Sequence, residues 1–136
     1  MKNILFLVLL LPLGLFSQNT LSVDVQGVKN SKGKISVAVY DSSDTFLRFD
    51  SVFKTDSVKA ESGSTRILID DLPQGEYALA IFHDENSNDE LDTNWLGIPK
   101  EAVGFSNAKM KTFGPPSFKD CRIDLDADQQ LTVVLE

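Results

Sequence analysis

The chain of 136 residues has the length of one domain, and its single cysteine excludes an internal disulfide framework. With 13 Lys and Arg against 20 Asp and Glu, the net charge of −7 repels phosphate backbones, and no run of basic residues offers a nucleic-acid footprint. We therefore expect no nucleic-acid partner, whereas an acidic surface of this kind suits solubility and cation binding.

The N-terminal segment predicts a secretory signal peptide over residues 1–17. Lys2 supplies a positive charge, residues 4–11 form an unbroken apolar run, and Ser17 is a small residue at a suitable cleavage point. The run is shorter than the roughly 20 apolar residues that a membrane span needs, which disfavours the alternative of an uncleaved anchor. We expect a single mature domain over residues 18–136, periplasmic or secreted, without a membrane span.

After the signal segment, apolar and polar residues alternate in six short stretches. The apolar positions are Leu21, Val23 and Val25; Ile35, Val37 and Val39; Ile67 and Ile69; Tyr77, Leu79 and Ile81; Cys121, Ile123 and Leu125; and Leu131, Val133 and Leu135. A period of two places one face of each strand on a core, and turn-forming residues separate the stretches. The pattern predicts an all-β fold, an antiparallel two-sheet sandwich of about seven strands, in which Cys121 is a buried apolar residue.

Two stretches lack strand alternation. Residues 41–59 are expected to hold a short helix or an irregular crossover, and residues 83–116 to form one long ordered loop. Long ordered loops on a rigid scaffold are usually functional or stabilised by an ion, so the second stretch is where we look for a site.

The long loop opens with oxygen-bearing side chains at alternate positions, a spacing that suits a chain curling around Ca²⁺. The candidate ligands are Asp84, Asn86, Asn88 and Asp92 through their side chains and Glu90 through its backbone carbonyl. This matches the first nine positions of an EF-hand loop, but Asp89 replaces the glycine at position six and Trp95 replaces the glutamate at position twelve. We predict a calcium loop on a β-scaffold, completed by Glu101 or Glu85.

Three alternatives to this calcium loop remain open. The loop is a polar turn held by Asn and Asp side chains, or it binds another metal. Zinc is disfavoured, because His83 is the only histidine and Cys121 is distant in the sequence. Hydrolase chemistry with His83 and a neighbouring carboxylate lacks a Gly-x-Ser-x-Gly elbow.

Three aromatic residues follow among turn residues, namely Trp95, Phe105 and Phe113. Together with His83 they would form a surface that stacks on a sugar ring or grips a peptide. The alternative, which we favour, is that the aromatics form an apolar cluster that pins the long loop to the sandwich.

A succession of motifs runs along nearly the whole mature chain, at residues 71–78, 82–88, 91–92, 96–101, 104–107 and 113–118. Their order resembles that of the DUF2141 family of exported bacterial proteins. The turn Leu72-Pro73-Gln74-Gly75-Glu76-Tyr77 is also similar to a turn of transthyretin-like and other Ig-type domains. This resemblance implies an exported sandwich of a kind that more often binds partners than catalyses reactions.

The sequence thus predicts a non-catalytic exported binding module with a Ca²⁺-stabilised loop, whose ligand is a small molecule, a glycan or a protein. A periplasmic hydrolase-like enzyme using His83 and a purely structural envelope domain are the alternatives.

Overall fold

The computed structural model describes residues 17–136, so the predicted signal peptide lies outside the described residues except for Ser17. The elements in chain order are β1 (Gln18–Val28), β2 (Lys34–Tyr40), a 3₁₀ helix (Phe49–Ser51), β3 (Lys54–Lys59), β4 (Gly63–Pro73), β5 (Gly75–Asp84), β6 (Val103–Phe105), α1 (Phe118–Cys121), β7 (Ile123–Leu125) and β8 (Gln129–Val134). The predicted all-β class is confirmed, with eight strands in the described range rather than about seven.

The strands form two sheets that pack face to face. One sheet has the order β4-β1-β8, and the other has the order β3-β2-β5-β6, with β7 paired to β5 as well. Strands β1 and β8 run parallel, so the expectation of a purely antiparallel sandwich is wrong at this pair. The reason is the connection of residues 126–128, which carries the chain from β7, on the second sheet, across to β1 on the first.

The apolar faces predicted from the alternation make the core between the sheets. Its buried residues include Leu21, Val23, Val25, Ile35, Val37, Val39, Ile67, Ile69, Tyr77, Leu79, Ile81, Ile123, Leu125, Val133 and Leu135. At the turn between β4 and β5, the Tyr77 hydroxyl donates to the Pro73 carbonyl at 2.7 Å. Along one edge, the backbones of Val103 and Glu136 exchange two hydrogen bonds of 3.1 and 2.9 Å and so join the two sheets.

A second apolar cluster covers one part of the outer face of the five-stranded sheet. Ala78, Phe105 and Cys121 are buried in this outer cluster, and Phe46 and Phe118 pack against it with their rings edge to face, 5.9 Å apart. Cys121 is free and buried as predicted, and burial raises the pKa of its thiol to about 11. It ends α1 rather than lying in a strand. Within residues 17–136, no helix has the length and apolar character required to cross a membrane.

Candidate functional site

A groove lies on the outer face of the five-stranded sheet, beside the outer cluster. Its floor contains Ser36 and Ala38 of β2 and Ala80 of β5, which is the next strand in the sheet. Ala38 lies directly opposite Ala80 in the register. The small side chains at these outward positions leave a hollow of about 940 Å³, whose lining also includes Phe82, opposite Ser36 in the register.

The walls of the groove come from segments far apart in the sequence. On one side are Phe49 and Val52 with the hydroxyl-bearing strand β3, and on the other are Leu91 and Pro99 of the long loop, together with Met110. Most of the lining is apolar, with a few polar groups among it. The volume of the groove falls within the range of pockets that bind drug-sized ligands.

The structure separates the three predicted aromatics. Trp95 is 90% exposed at the tip of a small hairpin closed by a bridge between Thr93 and Pro99, and Phe113 is fully exposed in a turn formed by residues 111–114. Phe105 is buried in the outer cluster and also lines the groove. Phe105 therefore anchors the long loop to the sheet, whereas Trp95 and Phe113 project into solvent from the segments that border the groove.

The acidic loop that follows β5 is folded by its own side chains. Asp84 is fully buried, and its carboxylate accepts the backbone N–H groups of Asn88 at 3.2 Å and Asp89 at 2.9 Å. The side-chain oxygens of Asn86 and Asn88 each accept a backbone N–H two residues further on. These bonds curl the chain into a tight loop, as Asn and Asp side chains do when they accept nearby backbone N–H groups.

The backbone conformation of Asp89 explains how the loop turns without the glycine that an EF-hand has at this position. An EF-hand has glycine at this position because the chain turns sharply there. Asp89 nevertheless adopts a left-handed φ of +65°, a conformation that Asp tolerates better than most residues. Its side chain forms an ion pair with Lys34 of β2, which holds the loop against the sheet.

A small polar cavity of about 370 Å³ opens beside this loop and is lined by Glu85, Asn86, Asp92 and Glu101, among other residues. Asp92 accepts the side-chain amides of Asn86 at 2.7 Å and Asn88 at 2.9 Å. The Glu101 carboxylate bridges the backbone N–H groups of Glu85 and Asp92.

Three carboxylates, of Glu85, Asp92 and Glu101, and one basic residue, Lys100, line this cavity. Burial raises the pKa of Glu101 above its ordinary value, and the carboxylates of Asp92 and Asp84 raise the pKa further, against the two backbone N–H groups that lower it. Within residues 17–136, no group of three or more His, Cys, Asp or Glu side chains is close enough together to hold a metal ion. Of the predicted ligands, Asn86, Asn88 and Asp92 converge, while the carboxylates of Asp84 and Glu101 accept backbone N–H groups. Glu90, predicted to act through its backbone carbonyl, donates its own backbone N–H to the Asn88 side-chain oxygen.

His83 points away from both the groove and solvent. It is 1% exposed, and its Nε2 lies 2.7 Å from the Lys32 carbonyl, to which it must donate, so Nδ1 carries no proton in the neutral ring. Nδ1 has no hydrogen-bond partner within the described residues, and the nearest carboxylate oxygen, of Glu85, is 3.9 Å away. A base enclosed in this way does not meet a substrate, so His83 does not join Trp95, Phe105 and Phe113 in one surface.

A comparison of the sequence with known protein families finds a match over most of the chain. The family described as "Uncharacterized protein conserved in bacteria (DUF2141)" matches residues 23–133. The chain belongs to the DUF2141 family. The matched range runs from within β1 to within β8 and so includes the groove and the acidic loop of this DUF2141 protein. Comparisons with curated proteins and with solved structures find no match.

Sequence reasoning missed the groove. The relevant signal was the run of small outward residues on neighbouring strands, Ser36 and Ala38 on β2 and Ala80 on β5. Alternation placed these residues on the outer face, but their meaning depends on the pairing of β2 with β5, which the sequence pattern alone did not supply.

Proposed function

We propose that this DUF2141 protein is an exported, non-catalytic binding module that holds an apolar ligand in the groove on the outer face of its five-stranded sheet. The observation that carries the proposal is the groove itself, with its floor of small residues and its apolar walls. A concave, mostly apolar groove of this volume with a few polar groups in its lining is the usual form of a small-molecule site. The resemblance to transthyretin-like and Ig-type modules, which often bind partners, agrees with this role.

Filling the groove should abolish binding without loss of the fold. Ala38 faces Thr55 on one side and Ala80 on the other, so leucine at position 38 projects into the hollow. We expect the mature protein to enhance the fluorescence of the uncharged dye N-phenyl-1-naphthylamine, and Ala38→Leu to weaken dye affinity by about tenfold or more, since one lost apolar contact of this size is worth about 1.4 kcal/mol. Fluorescence titration measures this change.

The matched control is Ser22→Leu. Ser22 lies on the outer side of β1, opposite Leu68 of β4 in the three-stranded sheet, so this variant makes a similar enlargement on the sheet that does not carry the groove. It should bind the dye like the unmodified protein, and thermal unfolding should show both variants folded. Equal dye binding by Ala38→Leu and the unmodified protein would show that the groove is not the binding site.

We propose in addition that Ca²⁺ stabilises the acidic loop. The support is the convergence of Asn86, Asn88 and Asp92, together with the excess of carboxylates around the small cavity. Rotating each side-chain amide by half a turn would present its oxygen instead of its nitrogen towards Asp92, at the cost of the backbone N–H bond that this oxygen now accepts. Calcium binding would then require the loop to draw a second carboxylate, of Glu85 or Glu101, towards Asp92.

Calcium should raise the stability of the mature protein selectively. For a dissociation constant of about 10⁻³ M, in the weak range of extracellular sites, about 10 mM Ca²⁺ stabilises the fold by about 1.4 kcal/mol, or about 5 °C in Tm. Asp92→Asn should remove most of this rise, since it deletes the charge nearest the two amides. Thermal unfolding in EDTA, in Ca²⁺ and in Mg²⁺ measures the effect.

Asp126→Asn is the control for the loss of one negative charge. Asp126 is exposed, and its carboxylate forms no hydrogen bond or ion pair within residues 17–136. This variant should keep the calcium response. An unchanged Tm in Ca²⁺, or an equal rise in Mg²⁺, would favour the alternative of a metal-free polar turn.

A further inference from the structure

The floor of the groove divides into a hydroxyl-bearing half and an apolar half. In the register of β3 against β2, Ser57 lies opposite Ser36 and Thr55 lies opposite Ala38. These four residues face outward, because the residues of β2 that alternate with them belong to the core between the sheets. Cross-strand neighbours have Cβ atoms about 5 Å apart, so the three hydroxyl groups form one patch on the β3 side of the floor.

The other half of the floor is apolar. On β5 and β6 it continues with Phe82 and Val103 in one row and with Ala80 and Phe105 in the next. Phe105 is buried at this end, whereas the two hydroxyl-bearing residues of β3 at the opposite end are exposed. The groove therefore has an enclosed apolar end and an open end that carries hydroxyl groups.

The hydroxyl groups of Ser36, Thr55 and Ser57 are available to a ligand. Within residues 17–136, none of the three forms a hydrogen bond to another protein group, and all three residues line the groove. A hydroxyl group both donates and accepts, so each can exchange a bond to water for a bond to an oxygen atom of a ligand. Such a patch suits a head group that is itself rich in hydroxyl groups.

The charged residues around the groove offer no partner to an ionic head group above this patch. No Lys, Arg or His of the described chain lines the groove, and Lys59, on the outer face of β3, lies outside the lining. Asp89 is paired with Lys34, and the register places Asp56 on the inner face of the sheet. Glu90 is exposed on the long loop, which borders the floor on the side away from β3. An ion bound over the patch would therefore lose hydration without gaining a counter-charge.

From this lining we propose that the natural ligand is an uncharged amphiphile, an apolar body that carries a polyhydroxyl head group. The proposal rests on the binding function of the groove and specifies its ligand. The apolar body lies over Ala38 and Ala80 towards Phe105, and the head group lies over β3, hydrogen-bonded to Thr55 and Ser57. Glycerol and sugar head groups share this chemistry.

The choice of a small molecule over a macromolecule follows from the shape of the site. Walls from the segment before β3, from the long loop and from the region of Met110 border the floor on several sides. A volume of about 940 Å³ agrees with a drug-sized ligand rather than with a flat protein interface.

Five probes with the same eight-carbon chain and different head groups test the proposal. Octylglycerol, octyl glucoside, octanol, octanoate and octyltrimethylammonium compete for the groove against N-phenyl-1-naphthylamine, at concentrations below micelle formation. We expect the better of the two polyhydroxyl probes to bind about fivefold more tightly than octanol and than either charged probe, the scale of one net hydrogen bond between neutral groups. Whether octylglycerol or octyl glucoside binds more tightly distinguishes a glycerol head from a sugar head.

The double variant Thr55→Val/Ser57→Ala should weaken binding of the better polyhydroxyl probe by about fivefold, while dye affinity stays within twofold. Both replacements remove a hydroxyl group and add no bulk to the groove. The matched control is Ser22→Ala/Thr132→Val, which removes one serine and one threonine hydroxyl from the outer face of the three-stranded sheet and should leave every affinity unchanged. Thermal unfolding should show both variants folded.

Two results would overturn the proposed ligand class and leave the binding function standing. One is a charged probe that binds as tightly as the polyhydroxyl probes, and the other is unchanged binding of the polyhydroxyl probes by Thr55→Val/Ser57→Ala. In both cases the dye would still bind, and Ala38→Leu would still weaken it. If none of the probes displaces the dye, or the dye does not bind, the groove function itself fails.

Discussion

Gly33→Ala is expected to destabilise the fold by about 3 kcal/mol or more, because a methyl group at this position has no space. Its Cβ would lie 2.0 Å from the carbonyl oxygen of Asp84 and 2.7 Å from that of Glu85, and both obstacles are backbone atoms that cannot rotate away. Gly33 also has a φ of +65°, which disfavours any side chain. The effect is measured by urea unfolding of residues 18–136 in EDTA.

Gly63→Ala is the control that distinguishes the steric clash of an added Cβ from the strain of a left-handed backbone. Gly63 also has a positive φ, of +92°, but a Cβ there meets no atom within 4 Å. We expect this control to cost about 1 kcal/mol, the penalty of a left-handed backbone alone. Equal destabilisation by the two variants would mean that the turn between β1 and β2 can move away from the acidic loop. The close contact of Gly33 with the backbone of Asp84 and Glu85 would then not be required for stability.

The close approach of Gly33 explains how the acidic loop is positioned. The turn between β1 and β2 contacts the loop through three further bonds: Lys32 accepts from His83, Asn30 donates to Glu85, and Lys34 pairs with Asp89. A glycine is needed in the middle of these contacts because only a residue without Cβ lets the two backbones come together. His83 thus acts as a structural link between turn and loop.

The sequence predicted the strands whose inner faces are apolar and missed those whose inner faces are not. The inward positions of β3 are Lys54, Asp56 and Val58, so this edge strand shows no apolar alternation and forms through its pairing with β2. Strand β6 has only three residues and sits inside the long loop. Cys121 continued the alternation of Ile123 in the sequence, but the capping box of Ser117 and Asp120 starts a helical turn that ends at Cys121.

The candidate sites differ in how far the sequence could predict them. The curled acidic loop is local: the side-chain oxygens of Asp84, Asn86 and Asn88 accept backbone N–H groups within five residues along the chain, so the spacing already contained it. The groove is non-local, since its floor and walls come from four separate parts of the chain. No spacing along the sequence reveals such a surface before the sheet order is known.

Asp84→Ala is expected to destabilise the protein by about 2–4 kcal/mol even when no metal is present. Its buried carboxylate accepts the backbone N–H groups of Asn88 and Asp89. Alanine would leave the Asp89 N–H without an acceptor, at about 1–3 kcal/mol, and would leave the Asn88 N–H with only its 3.3 Å bond to the Asn86 side-chain oxygen, at a smaller cost. Asp84→Asn keeps one acceptor oxygen but turns an N–H group towards a backbone donor, so we expect an intermediate loss. Urea unfolding in EDTA measures both variants.

The presence or absence of Ca²⁺ in the same experiment separates two roles of this carboxylate. If Asp84 acts as the hydrogen-bond anchor of the loop, both variants lose stability in EDTA, and Asp84→Asn retains a calcium response that Asp92→Asn lacks. If Asp84 is instead a metal ligand, the variants match the unmodified protein in EDTA and differ from it only in Ca²⁺. The buried position of the carboxylate and its two backbone partners favour the first result, which would make Asp92, rather than Asp84, the residue on which calcium binding depends.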